Sequence, residues 1–195
     1  RLAPVQMASW GHPETTGLAT IDYFISGEDL EPDNADENYS EKLIKLPNLG
    51  CFFESSGVTP STLAVEDLGL SRDQPILLCP GSPSKYSPEN DEALVEIAKR
   101  LGKCQFVFFD FQSGLTQILK QRLTSCFQKI NLQLDEYVKF IPFQSKENFY
   151  ALMRQSDLYL DTIGFSGFNT AMQAIECNLP VTCKLFRHDI SQPIK

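Results

Sequence analysis

Pro75-Ile-Leu-Leu-Cys-Pro-Gly-Ser-Pro-Ser-Lys85 is the stretch on which the fold turns. Four consecutive apolar residues without polar alternation, stopped by Pro80-Gly81, read as a strand buried on both faces. Pro88 to Leu101 follows with helical spacing. Leu94, Ile97, Ala98 and Leu101 share a face, acids open it, Lys99 and Arg100 end it, and Gly102 closes it. The alternation then repeats. Cys104–Phe109 reads as a strand and Leu115–Ile130 as a helix, with Leu115, Ile118, Leu119, Leu123, Phe127 and Ile130 expected on its buried stripe. Tyr137–Ile141 is a third strand, and Ser145 the N-cap of a helix to about Gln155. Asp157–Asp161, a helix from Ser166 to about Cys177, and Pro180–Cys183 complete the series. Strand and helix in strict alternation imply an α/β, doubly wound, Rossmann-like parallel sheet with right-handed crossovers. Ligands of such sheets bind beyond the carboxyl ends of the strands, so the loops after Cys79, Ile141 and Asp161 are the places to look.

Upstream of this array the pattern changes. Val5–Trp10, Ile21–Ile25 and Lys42–Leu46 read as strands, Glu28–Glu41 as an acidic surface excursion, and 54–73 as a connector. A boundary near residue 70 gives two domains, 1–70 and 71–195. The chain opens on Arg1, and only eleven residues follow the strand ending near Lys184. This reads as a piece excised from a longer polypeptide.

Composition narrows the function. With 17 Lys+Arg against 25 Asp+Glu, the net charge of −8 speaks against general nucleic-acid binding but leaves room for one small anion. The six cysteines stand singly, without zinc spacing, and read as reduced, mostly buried thiols of a cytoplasmic protein. No apolar run reaches the ~20 residues of a membrane span, and no signal peptide is visible.

Three loops carry candidate chemistry. In Gly81-Ser-Pro-Ser-Lys85, small residues let a ligand approach the backbone and Lys85 offers a compact cation, although the spacing is not that of a P-loop. Asp161-Thr-Ile-Gly-Phe-Ser-Gly-Phe-Asn-Thr170 opens a helix with hydroxyl and amide groups beside free N–H donors, a place for an anion or for ordinary capping. Lys146 stands in the first turn of a helix, where the macrodipole disfavours a cation and a bound anion would compensate it. Phe149 can stack on a base or fill the core. His12, in a turn-rich loop, is a candidate for a cleft between the halves. His188 lies near the end of the chain. Asp157 and Asp161 bracket a strand without D-x-D spacing, no metal site is visible, and no G-x-S-x-G elbow occurs.

Taken in order, Arg1-Leu-Ala-Pro-Val-Gln6, Gly11-His-Pro-Glu-Thr-Thr-Gly17, Ile21-Asp-Tyr23 and Tyr39-Ser-Glu-Lys-Leu43 resemble the signature of O-linked N-acetylglucosamine transferases and their bacterial and plant SPINDLY-like relatives. Lys85, Ser145-Lys146-Glu147, and Asp157 to Asp161 through Gly167 to Thr170 continue the resemblance. It implies the C-terminal half of a GT-B glycosyltransferase preceded by part of the N-terminal half. It also implies inverting, metal-independent transfer of GlcNAc or another hexose from a UDP-type nucleotide sugar to a protein or peptide acceptor, without a cofactor. A tetratricopeptide array is implied in the parent chain.

The donor-binding residues implied are Ser82, Lys85, Lys146, Phe149, Phe168, Asn169, Thr170 and Gln173, with His12 the catalytic candidate. The resemblance sets Lys85 against the diphosphate, Lys146 near the nucleotide, and Asn169 and Thr170 at the diphosphate. Three departures stand out. Phe168-Asn-Thr replaces His-Thr-Thr, Gln173 replaces the acid that binds the ribose, and Phe149 and Leu152 replace a His and an Arg. The family's catalytic histidines lie upstream of Arg1. A non-catalytic nucleotide-binding or protein-interaction module, or an epimerase-like enzyme of the same fold, are the other readings.

Overall fold

The computed structural model describes residues 2–11, 14–111 and 114–182. Eight strands and five helices are present among them: β1 (Met7–Ser9), β2 (Tyr23–Gly27), β3 (Lys42–Leu46), β4 (Ile76–Cys79), α1 (Asp91–Leu101), β5 (Gln105–Asp110), α2 (Gly114–Gln128), α3 (Leu134–Tyr137), β6 (Val138–Pro142), α4 (Lys146–Gln155), β7 (Leu158–Leu160), α5 (Asn169–Glu176) and β8 (Val181–Thr182). Every strand read from the sequence is present within a residue or two at each end; for the last, the expected end at Cys183 lies outside the described residues. The short α3 was not expected; it is a single turn between Gln133 and β6. None of the described helices is long and apolar enough to cross a membrane.

The chain divides into two compact units, 1–54 and 55–195. The break falls before the connector, because Val65 and Leu70 from that connector are buried in the core of the second unit.

In the second unit the sheet order is β6-β5-β4-β7-β8, with all pairs parallel. All carboxyl ends therefore lie along one rim. The chain runs outward from central β4 through β5 to β6, then crosses back to place β7 on the other side of β4. The strand order reverses between β4 and β7, and that is where a crevice opens in sheets of this kind.

The apolar runs are continuous because both faces are covered. Ile76, Leu78, Val107 and Phe109 pack with Tyr150 and Met153 of α4 and Ala174 of α5. The alternate residues Leu77, Cys79, Phe106 and Phe108 pack with Val95 and Ala98 of α1 and Leu119, Leu123 and Phe127 of α2. Period-two side-chain alternation thus serves two cores from one strand.

The helices sit slightly rotated from expectation. On α2 the buried residues are Thr116, Leu119, Leu123 and Phe127, while Leu115 and Ile118 are 49% and 51% exposed and Ile130 also reaches solvent. On α1, Val95 and Ala98 are buried and Leu101 is exposed. Leu115 and Ile118 instead line a groove beside the loop after β4.

The first unit holds a parallel sheet of order β1-β2-β3. The acidic segment 28–41 is not a loose excursion. It forms 3-10 turns at Glu28–Leu30 and Ala35–Asn38, and Ala35 packs fully buried with Phe24 and Leu43. Small Ala35 lets a polar segment approach the sheet closely enough to close this core.

Candidate functional site

Two loops meet at the switch point. After β4, Gly81 donates its N–H to Tyr86 Oη at 3.1 Å, and Lys85 N–H closes a 3-10 turn on Ser82 O at 2.9 Å. A Cβ at Gly81 would stand 2.6 Å from Thr162 Cγ2, so only glycine lets the β4 loop lie against the β7 loop. Arg122 of α2 fixes the outer side. It binds both Asp91 carboxylate oxygens at 2.9 Å and donates to Tyr86 O at 2.7 Å, with Asp91 buried. Planar, bidentate pairing gives this contact directional rigidity.

The β7 loop is built around Asp161. Its Oδ1 accepts from the N–H groups of Thr162 and Gly167, each at 2.9 Å, and its Oδ2 accepts from Ser166 Oγ. The exposed Ser166 thus spends its hydroxyl on Asp161 rather than on capping α5, and no side chain of the described residues caps α5. Asp157, the other bracketing acid, accepts from Ile76 N–H at 2.7 Å and so fixes the start of β4. Both acids are structural, and the described residues hold no cluster of three His, Cys, Asp or Glu that could bind a metal.

Beyond the rim lies a cavity of about 280 Å³ lined by Pro80, Phe109, Phe143, Gln144, Lys146, Phe149, Thr170 and Gln173. Local helical geometry assembles it. Lys146 and Phe149 are three residues apart on α4, as Thr170 and Gln173 are on α5, so each pair shares a face. Ser145 Oγ accepts from Asn148 N–H at 3.2 Å and fixes where α4 begins. Phe109 supplies an aromatic wall, its ring 5.5 Å from that of Phe149 and 6.2 Å from that of Phe143. Phe143 is 70% exposed beside this wall. Lys146 is the single charged residue of the lining among the described residues.

Four of the expected residues, Lys146, Phe149, Thr170 and Gln173, are therefore brought together. The others stand apart. Lys85 lies at the same rim but in a separate groove, its Nζ 4.5 Å over the Phe165 ring, with Leu115, Ile118 and Arg122 opposite. Ser82 Oγ meets Ser84 Oγ at 3.0 Å. Phe168 and exposed Asn169 open α5 without lining the cavity. His12 and His188 lie outside the described residues.

Sequence reasoning missed Phe109, Phe143, Gln144 and Pro80. The signal was available, since all four fall at or just past the carboxyl end of a strand. It also missed Tyr159, buried in β7 with Oη 2.8 Å from Thr170 Oγ1. Burial pushes its phenol up to about 12.

The first unit has its own anchor. Glu41, 6% exposed, accepts from Thr15 Oγ1 at 2.6 Å, from Thr16 N–H at 2.9 Å and from Thr16 Oγ1. Burial alone would raise its pKa, but these hydrogen bonds outweigh it and hold the carboxyl at about 2. Of the thiols, Cys79, Cys104 and Cys177 are buried and unpaired, whereas Cys51 is exposed. Burial raises Cys79 far above the usual thiol range, so it is no nucleophile.

No family model matches the chain. Among individual sequences it is 26% identical over 185 residues, 92% of its length, to a probable UDP-N-acetylglucosamine–peptide N-acetylglucosaminyltransferase, SPINDLY, of Solanum lycopersicum. It is 28% identical over 190 residues, 94% of its length, to a UDP-glucose:protein N-β-glucosyltransferase of Actinobacillus pleuropneumoniae. It spans only 19% and 28% of those two proteins. Among solved structures, the O-GlcNAc transferase of Thermobaculum terrenum superposes on 92% of the chain with a TM-score of 0.74 at 21% identity, and the chain covers 33% of it. A sucrose-phosphate synthase of Thermosynechococcus elongatus superposes on 84% with a TM-score of 0.58, at 20% identity and 40% of its length. The chain therefore has the α/β fold of the GT-B glycosyltransferases and resembles, over nearly all its length, the protein glycosyltransferases of the SPINDLY and O-GlcNAc transferase type.

Proposed function

We propose that this chain is the nucleotide-sugar-binding region of a glycosyltransferase. The parent enzyme would transfer GlcNAc or another hexose from a UDP-type donor to a protein hydroxyl, with inversion and without a metal. The observation that carries this reading is the cavity at the carboxyl rim, where Lys146, Thr170 and Gln173 converge on an aromatic wall. A nucleoside diphosphate needs these three chemistries. Aromatic faces take the base, an amide can bond a ribose hydroxyl, and a cation with a helix N-terminus takes the phosphates. The helix start and the lysines would stabilise charge developing on the leaving diphosphate, which is where such catalysis acts. Lys85, at the same rim, is the residue to reach a sugar-proximal phosphate.

A second reading is favoured by the lining itself. With Gln173 an amide and Phe149 an aromatic, Lys146 is the single charge among the described lining residues, which also suits a module that binds nucleotide without transferring sugar.

Calorimetric titration of the folded chain with UDP tests the binding. Lys146→Ala is expected to weaken UDP about tenfold, the loss of one charge-assisted contact, with an unchanged melting temperature because Lys146 is exposed. No heat at millimolar UDP overturns the reading. Transfer of sugar to a protein by the full-length parent, absent in its Lys85→Ala variant, separates the enzyme from the binding module.

A further inference from the structure

Tyr159 is among the most buried residues of the second unit, 1% exposed, in a strand paired with β4 on one side and β8 on the other. Its phenol ends beneath the opening turn of α5. There Oη meets Thr170 Oγ1 at 2.8 Å, and Thr170 Oγ1 has no other hydrogen-bond partner among the described residues. Thr170 itself is half-buried and lines the cavity with Lys146 and Gln173.

Either hydroxyl could donate on distance alone; burial decides the direction. A phenolic hydrogen in a packed interior needs an acceptor, and an unmet one is costly. The nearby Asp161 Oδ1 is already filled by the N–H groups of Thr162 and Gly167. Thr170 Oγ1 is the acceptor that remains, so Tyr159 donates. The Thr170 hydrogen is then left to turn toward the cavity, where it can donate in its turn.

Gly167 belongs to the same arrangement. A Cβ there would stand 3.0 Å from Thr170 Oγ1 and 3.1 Å from Tyr159 Oη, closer than nearly all real Cβ contacts. A side chain there would press on both hydroxyls and require one of them to shift by a few tenths of an ångström.

We propose that Tyr159 is a positioning residue for the donor diphosphate, fixing Thr170 as a hydrogen-bond donor aimed at a phosphate oxygen. This rests on the nucleotide-sugar reading above. Tyr159 touches no ligand; it sets the polarity of the hydroxyl that does. A chain of donors running outward from a buried phenol suits an anion and disfavours a ligand group that must itself donate.

The test compares UDP with uridine, which lacks the phosphates, on the whole chain by calorimetry and competition. Tyr159→Phe is expected to raise the Kd for UDP about tenfold and leave that for uridine within twofold. Thr170→Val should do the same. The double variant should bind UDP no more weakly than Thr170→Val alone, and Thr170→Ser should retain wild-type binding. Equal weakening of both ligands, additive losses, or an unchanged UDP Kd in Tyr159→Phe overturns the proposal while leaving the nucleotide reading intact. A wild-type chain that binds no UDP overturns that reading itself, and the role of Tyr159 with it. If Tyr159→Phe does not fold, Gly167→Ala serves instead, since it crowds the pair without deleting either hydroxyl. A UDP-specific loss supports the proposal and a uniform or absent effect overturns it.

Discussion

Glu41 holds three hydrogen bonds from Thr15 and Thr16 in a site almost closed to solvent. Its folded pKa of about 2 lies below the 4.5 of the free side chain. The stabilisation is therefore fully present above pH 4.5 and is lost as the pH falls toward 2. Glu41→Gln should destabilise the first unit by about 2 kcal/mol at pH 7, the scale of hydrogen bonds to a charged group. The gap between variant and wild type should narrow steadily below pH 4.5 in thermal melts. A gap that does not change with pH would show that the carboxylate charge is irrelevant. Residues of this kind were only partly legible. Lys146 and Thr170 could be read as anion ligands because each sits in the first turn of a helix, a position with known electrostatics. Tyr159 could not, since a buried strand tyrosine looks like core until its hydroxyl is seen beneath α5. Nor could the direction of Lys85, because a loop lysine has no periodicity to fix where it points.

At the scale of elements, helix α2 shows what periodicity alone does not fix. Its apolar residues form a stripe broader than the face it buries, and the sequence does not say which edge meets the sheet. Leu119, Leu123 and Phe127 face inward, and Leu115 and Ile118 are left to the groove beside Lys85. The bidentate contact of Arg122 with Asp91 ties α2 to α1 and, through Tyr86 O, to the loop that carries Lys85. Arg122→Ala leaves the buried Asp91 carboxylate without its partner. It should cost about 3 kcal/mol in urea unfolding, and a loss below about 1 kcal/mol would contradict the anchoring role. By contrast the strands were readable almost to the residue. A run such as Ile76–Cys79 between Pro75 and Pro80 has both ends marked by breakers, and its continuous apolarity already implied two covered faces.

For the whole molecule, one topological fact governs the rest. Because all five strands of the second unit run parallel and the order turns back beside β4, every βα loop emerges on one rim. Residues as distant in sequence as Pro80, Phe109, Lys146 and Thr170 then line one cavity without any long-range signal between them. This is why the loops singled out in the sequence lead to the candidate cavity while only half of its walls were named. Phe109 looked like strand core, and only its position at the end of β5 makes it part of a pocket. The break between units, at 54/55, was equally hidden. The connector that follows it has little secondary structure of its own and declares its allegiance only through Val65 and Leu70. The most direct test is a crystal structure of the chain grown with UDP. The uracil is expected against Phe109 and Phe149, the ribose within hydrogen-bond distance of Gln173 Nε2 or Oε1, and a phosphate oxygen on Thr170 Oγ1. UDP found anywhere else on the chain, or a cavity that stays without it at saturating nucleotide, would contradict the account.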